Sequence, residues 1–406
     1  MLGLLAVLHT ALHGCLACTV RHPHAVGNAL DGAEMQHLLE RYYSGLGRAP
    51  LEEVFFATQG LTSESQATLM KECPGLLITS YLMVAEARLL IDDVESGDAM
   101  HKADALASQL SAEDFEAEQA SWPIREAISS FQLAATNMEK CRSATDTTTV
   151  HVVVCHCRED LDWLANGTFD DVGRATAASL YIYEKCGQLT DVSSFMSTFA
   201  EVHVIEVHDG EIRRDECSGF LRHLIDNYDS PANFTFFFQA DAGDHMEWPY
   251  LSLVNRAIAR HVLQVPFIHL NYPRLVSSLS PCREEVFRLV FNRSPRAMLG
   301  SYCCAQFLVA RDRVLANTRE RYERMFAMLF EDSPAECHDI QGHSTHCLMY
   351  EVYWHVLFGE LDELPARMDN PSLPLFLRIR DVENESYLPP GSMFLDHAIA
   401  ASAADA

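Results

Sequence analysis

The sequence predicts an α/β protein: a mostly parallel β-sheet with helices on both faces, preceded by an α-helical N-terminal module. Three observations carry this expectation. The run Phe234-Thr235-Phe236-Phe237-Phe238 is an apolar β-former stretch of the kind buried on both faces of a sheet. From His151 onward, short β-branched runs alternate with helical or loop segments, the pattern of parallel strands joined by crossovers. Between Glu34 and Cys141 the pattern is helical instead, and the polar stretch Ser143 to Thr149 separates the two regimes.

The elements follow in order. Residues 1–17 have a short apolar core and small residues before Cys18, as a cleaved signal peptide requires, with a buried N-terminal helix as the alternative. The stretch is too short and too broken by His9, His13 and Gly14 for a stable membrane span. Residues 30–142 form the helical module: Ser63 with Gln66 resembles a capping box for a helix reaching Cys73, and Leu76 to Val94 is strongly apolar. Residues 143–149 are the linker. In the α/β domain, residues 150–360, strands are expected at His151 to Cys155, Leu180 to Tyr183, Val202 to Val207, Phe234 to Phe238 and Ala305 to Val309. Helices are expected at Arg213 to Tyr228, Tyr250 to Leu263, Asp312 to Phe330, and from Ser344 to Phe358. Residues 361–406 read as an irregular, Pro- and Ala-rich tail.

Composition limits the function. Acids number 57 against 30 bases over 406 residues, a formal charge of −27, which repels phosphate backbones and argues against nucleic acid as a partner. An anionic nucleotide would need a cation or a local Lys or Arg to be held. The 13 cysteines become an even set of 12 if cleavage falls before Cys18, and four sequons stand at Asn166, Asn233, Asn292 and Asn384. Both features fit a secretory-pathway lumen or secretion. Cys155-His156-Cys157 and Cys303-Cys304 lack structural-zinc spacing and read as buried or disulfide cysteines.

The chemistry-bearing residues gather where the Phe234 strand ends: Gln239, Asp241, Asp244 and His245. Ligands of open α/β sheets bind at this carboxyl edge, and two Asp with one His suit a divalent cation, Mn or Mg; a solvated Asp/Gly turn is the plainer alternative. Glu351 and His355, four residues apart on the expected last helix, are the candidate base and base-or-ligand, against a structural ion pair. Lys185 follows the second strand and could meet a phosphate, against a solvated strand-end lysine.

The segment from about Val150 to Gly359 resembles the family known as domain of unknown function 3431 (DUF3431). The resemblance rests on Glu159-Asp160-Leu161-Asp162-Trp163-Leu164, on Ile225 to Asp229 followed by Gln239-Ala240-Asp241, and on the late blocks Ala305 to Val309 and Trp354 to Gly359. That pattern is in turn similar to nucleotide-sugar transferases of the GT-A type. The similarity implies that Glu159 and Asp160 contact a base or ribose, and that Asp241 with Asp244 or His245 holds the cation on a diphosphate. Gln239 and Gln306, within the landmark blocks, join Lys185 as candidate nucleotide or substrate contacts. Ala240 and Arg158 stand where the family usually has Gly and Asn.

The implied function is metal-assisted transfer of a sugar from a nucleotide sugar to a glycan or other hydroxyl acceptor. A Lewis acid at the leaving diphosphate and a carboxylate at the acceptor hydroxyl are what that reaction asks for. Two alternatives remain: a non-catalytic carbohydrate- or protein-binding module on a degenerate transferase fold, and a metal-dependent hydrolase in which the same Asp and His residues activate water.

Overall fold

The computed structural model describes Ser63–Glu72, Leu77, Tyr81, most of residues 148–370, and residues 372, 373 and 377. Within 148–370 the exceptions are 189, 190, 245, 247, 260, 262, 264, 272, 273, 297, 303, 339–341, 368 and 369. The proposed signal peptide, most of the helical module and Asn384 lie outside the described residues. The chain divides into two compact units: Met1–Ala144, Arg260–Leu263 and Pro371–Val382 form one, and Thr145–Ala259, Gln264–Asn370 and Glu383–Ala406 the other. In the first, α1 (Ser63–Glu72) is the helix expected after the Ser63/Gln66 signal.

The second unit is built on a mixed six-stranded sheet in the order β3-β2-β1-β4-β8-β5. Its strands are β1 (Thr149–His156), β2 (Ala177–Glu184), β3 (Glu201–Glu206), β4 (Phe234–Gln239), β5 (Phe267–His269) and β8 (Phe307–Ala310). The pairs β1/β2, β2/β3 and β1/β4 are parallel, whereas β8 runs antiparallel to both β4 and β5. The expected parallel sheet is thus mixed. The chain steps outward from β1 to β2 to β3, then returns to the other side of β1 as β4, so the carboxyl ends of β1 and β4 part at a topological switch point. Strands β6 (Arg274–Ser278) and β7 (Met298–Tyr302) form a separate antiparallel pair.

Alternation along the strands feeds two apolar layers. Phe236 and Phe238 of β4 meet Phe169, with Phe199 beyond it. That side is covered by the π-helical turn Leu164–Thr168, α2 (Asp170–Ala175) and α4 (Trp248–Ala259), and the Asn255 side chain of α4 donates to the Thr168 carbonyl at 2.7 Å. Phe237 points the other way, onto Phe220 of α3 (Cys217–Asp226) and Phe307 of β8. Both faces of the sheet therefore carry helices.

On the second face the approach of α3 requires Gly219. A Cβ there would lie 2.3 Å from Cys155 Sγ of β1 and 2.9 Å from Tyr183 Cβ of β2. Gly219→Ala must force α3 off the sheet, and we expect a loss of about 2–3 kcal/mol, read as a lower urea midpoint. An unchanged midpoint would show that the helix has room to shift.

Several helices are shorter than their periodicity predicts, each for a local reason. The one expected at Arg213 begins at Cys217, because Asp215 has a left-handed φ of 35° and Arg213 exchanges backbone hydrogen bonds with Gly342 and Ser344. The helix expected at Tyr250 to Leu263 starts earlier, at Trp248-Pro249, and ends at Ala259 ahead of a left-handed His261. Asp312 to Phe330 is split into α6 (Arg311–Leu315) and α7 (Arg319–Met328), since Thr318 turns extended and its hydroxyl accepts from Arg321 N. After α5 (Pro281–Phe291), the last expected helix is likewise divided, into α8 (Thr345–Tyr350) and α9 (Trp354–Leu357). Thr149, the last linker residue, belongs to β1: Asn233 Oδ1 accepts from its amide at 2.8 Å and from its hydroxyl at 2.9 Å.

Among the described residues three disulfides tie the unit: Cys157–Cys186 beyond the carboxyl ends of β1 and β2, Cys217–Cys347 between α3 and α8, and Cys282–Cys337 between α5 and the loop before α8. Such bonds fit a secreted or lumenal protein. Among the described residues no helix is long and apolar enough to cross a membrane.

Candidate functional site

The carboxyl ends of β1, β2 and β4 and the start of β8 converge on one sheet edge, the expected place for a ligand. At β4 the strand ends in Gln239, Ala240 and an exposed Asp241, and a short 3₁₀ turn, Ala242–Asp244, follows. The Asp244 side chain and all of His245 lie outside the described residues, so Asp241 is the described carboxylate of that trio. Its setting is fixed by a neighbour: Trp163 Nε1–H donates to the Ala240 carbonyl at 2.9 Å.

The β1 end is bound up with itself. Glu159 accepts from the amides of Cys157 and Arg158, both at 2.8 Å, and Asp160 accepts from the amide of Asp162 at 2.8 Å. Both acids are exposed but fold over their own backbone, the ordinary way short acidic turns satisfy orphan amides. Beneath them the buried His156 donates from Nε2 to the Glu159 carbonyl and pairs through Nδ1 with Glu184. Burial works against the Glu184 charge, but the His156 bond and the amides of Cys186 and Gln188 outweigh it and hold the carboxyl below its ordinary range.

Lys185 is neither solvated nor open toward a phosphate. Its ammonium pairs with Asp209 at 2.7 Å and donates to the Asp215 carbonyl, and only 12% of its side chain is exposed. Asp209 also accepts from Ser218 Oγ and from the amide of Arg214, which pins the β3–α3 loop beneath the edge.

A file of polar side chains, buried at Glu216, Gln306 and Asn271 and half-buried at Gln239, runs behind this edge. Gln239 Nε2 donates to Glu216 at 3.1 Å, Gln306 Nε2 donates to Gln239 Oε1 at 3.3 Å, and Asn271 Nδ2 donates to Gln306 Oε1 at 3.4 Å. An ionised Glu216 offers acceptors only, so it sets the orientation of each amide in turn. Burial, and then the neighbouring Asp215, push the Glu216 carboxyl up to about 7, while Gln239 and Lys185 pull it back. Glu216 stands apart from the candidates the sequence yields: nothing in the local order Arg214-Asp215-Glu216 marks it as buried, since a charged residue at a helix start is ordinarily a solvated one. Gln239 and Gln306, by contrast, are brought together across neighbouring strands.

Glu351 and His355 fall on different segments. Glu351, half-buried, closes α8, while His355 on α9 is sealed from solvent and donates from Nε2 to the Asp362 carbonyl at 3.2 Å. The break lies at Val352 and Tyr353, whose amides bond to the third preceding carbonyl, so the single helix that their spacing presumes is interrupted between them. Among the described residues one set of side chains has metal-ligand proximity, Glu216 with Cys217 and Cys347, and its two sulfurs are joined in a disulfide.

Of the sequons, Asn292 is exposed at the left-handed end of α5, an accessible position for a glycan. Asn233 is half-buried against Thr149, and the Asn166 side chain is outside the described residues, as is Asn384.

No curated protein matches the sequence. The late blocks beginning at Ala305 and Trp354, together with β6, α5 and the four helices that follow β8, fall inside a matched segment, whereas the Glu159 and Gln239 landmarks lie ahead of it. Residues 274–370 match the family model described as "Protein of unknown function (DUF3431)".

Proposed function

We propose that the β1/β4 carboxyl edge binds a nucleotide sugar with a divalent cation and transfers the glycosyl group to a hydroxyl acceptor. One observation carries this reading: an exposed Asp241 follows the end of a central strand at the topological switch point, backed by the Glu216-Gln239-Gln306 file. A carboxylate oxygen is the donor type that Mn or Mg takes, so the chemistry of Asp241 fits the cation. Asp241, with Asp244 and His245, would hold it, and when bound it supplies charge neutralisation at the diphosphate. In the transfer, the acceptor hydroxyl loses its proton to a carboxylate, for which Glu351 is the candidate. Its oxygen then bonds to the anomeric carbon as the bond to the diphosphate oxygen breaks.

The test is a thermal-shift panel of uridine and guanosine diphosphate sugars with and without manganese. A rise in Tm that needs both components is expected, and at ligand about a hundredfold above Kd it corresponds to about 3 kcal/mol. Asp241→Ala should abolish that rise while leaving the unliganded Tm unchanged, because an exposed strand-end side chain contributes little to the core. Retained binding in this variant would overturn the assignment.

A second reading has its own observation. Glu159 and Lys185, two of the candidate nucleotide contacts, are both engaged by local partners. That favours a carbohydrate- or protein-binding module without turnover, which predicts ligand-dependent stabilisation and no release of nucleoside diphosphate.

A further inference from the structure

Two tryptophans border the Asp241 turn, and the structure shows why they are held there. Trp163 is locked by its hydrogen bond to the Ala240 carbonyl and by edge contact with Phe238 at 5.3 Å between ring centroids. Trp248 lies 5.6 Å from Trp163, ring to ring, at the start of α4. Its indole also rests on the turn itself, for a Cβ at Gly243 would come within 3.1 Å of Trp248 Cζ2. Despite these restraints Trp248 remains 37% exposed. It is therefore a rigid aromatic surface kept partly open beside an exposed carboxylate, at the sheet edge where a ligand is expected.

The chemistry of that pairing selects its ligand. An indole face offers dispersion contact and a negative quadrupole to C–H bonds, and the turn beside it offers oxygen acceptors. Without a bound cation, a phosphate there would add negative charge beside the Asp241 carboxylate, on a chain of net charge −27. A neutral ring with an apolar C–H face and hydroxyl donors on its rim matches both halves of the surface. We propose that Trp248, backed by Trp163 and seated by Gly243, is a stacking platform for a pyranose ring whose hydroxyls point toward the Asp241 turn. The proposal deepens the transferase reading and rests on it for the identity of the edge as a ligand site, but its own requirement is only a sugar ring.

Tryptophan emission reads it directly. The full chain is titrated with the methyl glycosides of glucose, galactose, mannose and N-acetylglucosamine, and separately with uridine diphosphate plus manganese. At least one pyranoside is expected to shift emission saturably. Trp248→Ala should lose that response and bind the same glycoside at least tenfold more weakly by calorimetry, and Trp248→Phe should fall between the two. Near-UV circular dichroism of the phenylalanine variant verifies that the fold is retained.

No glycoside response, or a response undiminished in both variants, overturns the platform. A Trp248 response to uridine diphosphate alone also overturns it, because the stacked ring would then be the base. If no nucleotide binds and a glycoside still titrates Trp248, the transferase reading fails and the platform stands. If nucleotide binds with manganese and no glycoside perturbs Trp248, the platform alone fails.

Discussion

Replacing Cys217 and Cys347 together by alanine is expected to destabilise the α/β unit by about 4 kcal/mol, the largest loss from any local change argued for this chain. The bond spans 130 residues and joins the start of α3 to α8, both buried. Cutting it releases the longest of the three described loops in the unfolded chain, where the entropic gain grows with loop length. It also frees the turn that carries Glu216, adjacent to Cys217, from its anchor. Urea unfolding of the double variant beside wild type measures the effect. The matching pair of substitutions at Cys157 and Cys186, 29 residues apart, should cost about 1 kcal/mol less. A loss below about 1 kcal/mol for the Cys217/Cys347 variant would show that this cross-link adds little to what the sheet core supplies.

Acidification from pH 7 to pH 4 should lower the stability, with buried histidines as the cause. His151 of β1 and His223 of α3 meet at 3.1 Å between ring nitrogens, and Tyr183 and Asn227 close around His223. Burial, and then the charge of His203, hold His151 down to about 4, although Glu201 opposes this. Burial, and then His151 and His203, hold His223 well below its ordinary value; burial with His355 and Arg367 does the same to His269.

The sign follows from comparing the two states. An unfolded histidine takes up its proton near pH 6.5, whereas the folded His151 refuses it until about 4. Stability is thus full above about 6.5 and falls as pH drops toward 4, by about 3 kcal/mol for His151 alone. Glu216 opposes this, because its folded carboxyl binds a proton near 7 and its unfolded one near 4.5, so it gains stability as pH falls through that window. Its contribution is of similar size to that of one histidine, so His223 and His269 decide the direction. Asp362, held low by Arg293, adds a loss only below its ordinary 3.8. Urea midpoints at pH 7, 5.5 and 4.5 check the slope, and His223→Gln should flatten it. A midpoint independent of pH in the wild type would remove the histidine account.

The five expected strands were legible in the sequence, whereas β5, β6 and β7 were not. The run from Phe234 to Phe238 reads as a doubly buried strand because four of its five residues are phenylalanine, and it occupies the sheet interior between β1 and β8. Helix ends were less legible. Thr318 sits inside an amphipathic stripe from Asp312 to Phe330, and whether its hydroxyl caps a new helix or stays on an exposed face depends on where the chain must turn. The direction of β8 was not legible either: Phe307 to Ala310 is compatible with either orientation, and only its pairing with β4 and β5 decides.

The same division holds at the site. Asp241 at a strand end and Gln239 before it follow from local order, since a buried run that stops in acids must meet solvent there. The capture of Lys185 by Asp209, the engagement of Glu159 by its own amides, and the burial of His355 were invisible to residue spacing. What the sequence by itself determined was which residues had to be buried, how they alternate, and where polarity returns, because those depend on transfer from water and on a two- or nearly four-residue period. What only the tertiary structure decided was partnership. The joining of Glu216 to Gln239, Gln306 and Asn271, and the placement of Trp248 against Trp163 and Gly243, link residues far apart in the chain. Such contacts form only after loop closure brings their elements together, so no local pattern encodes them.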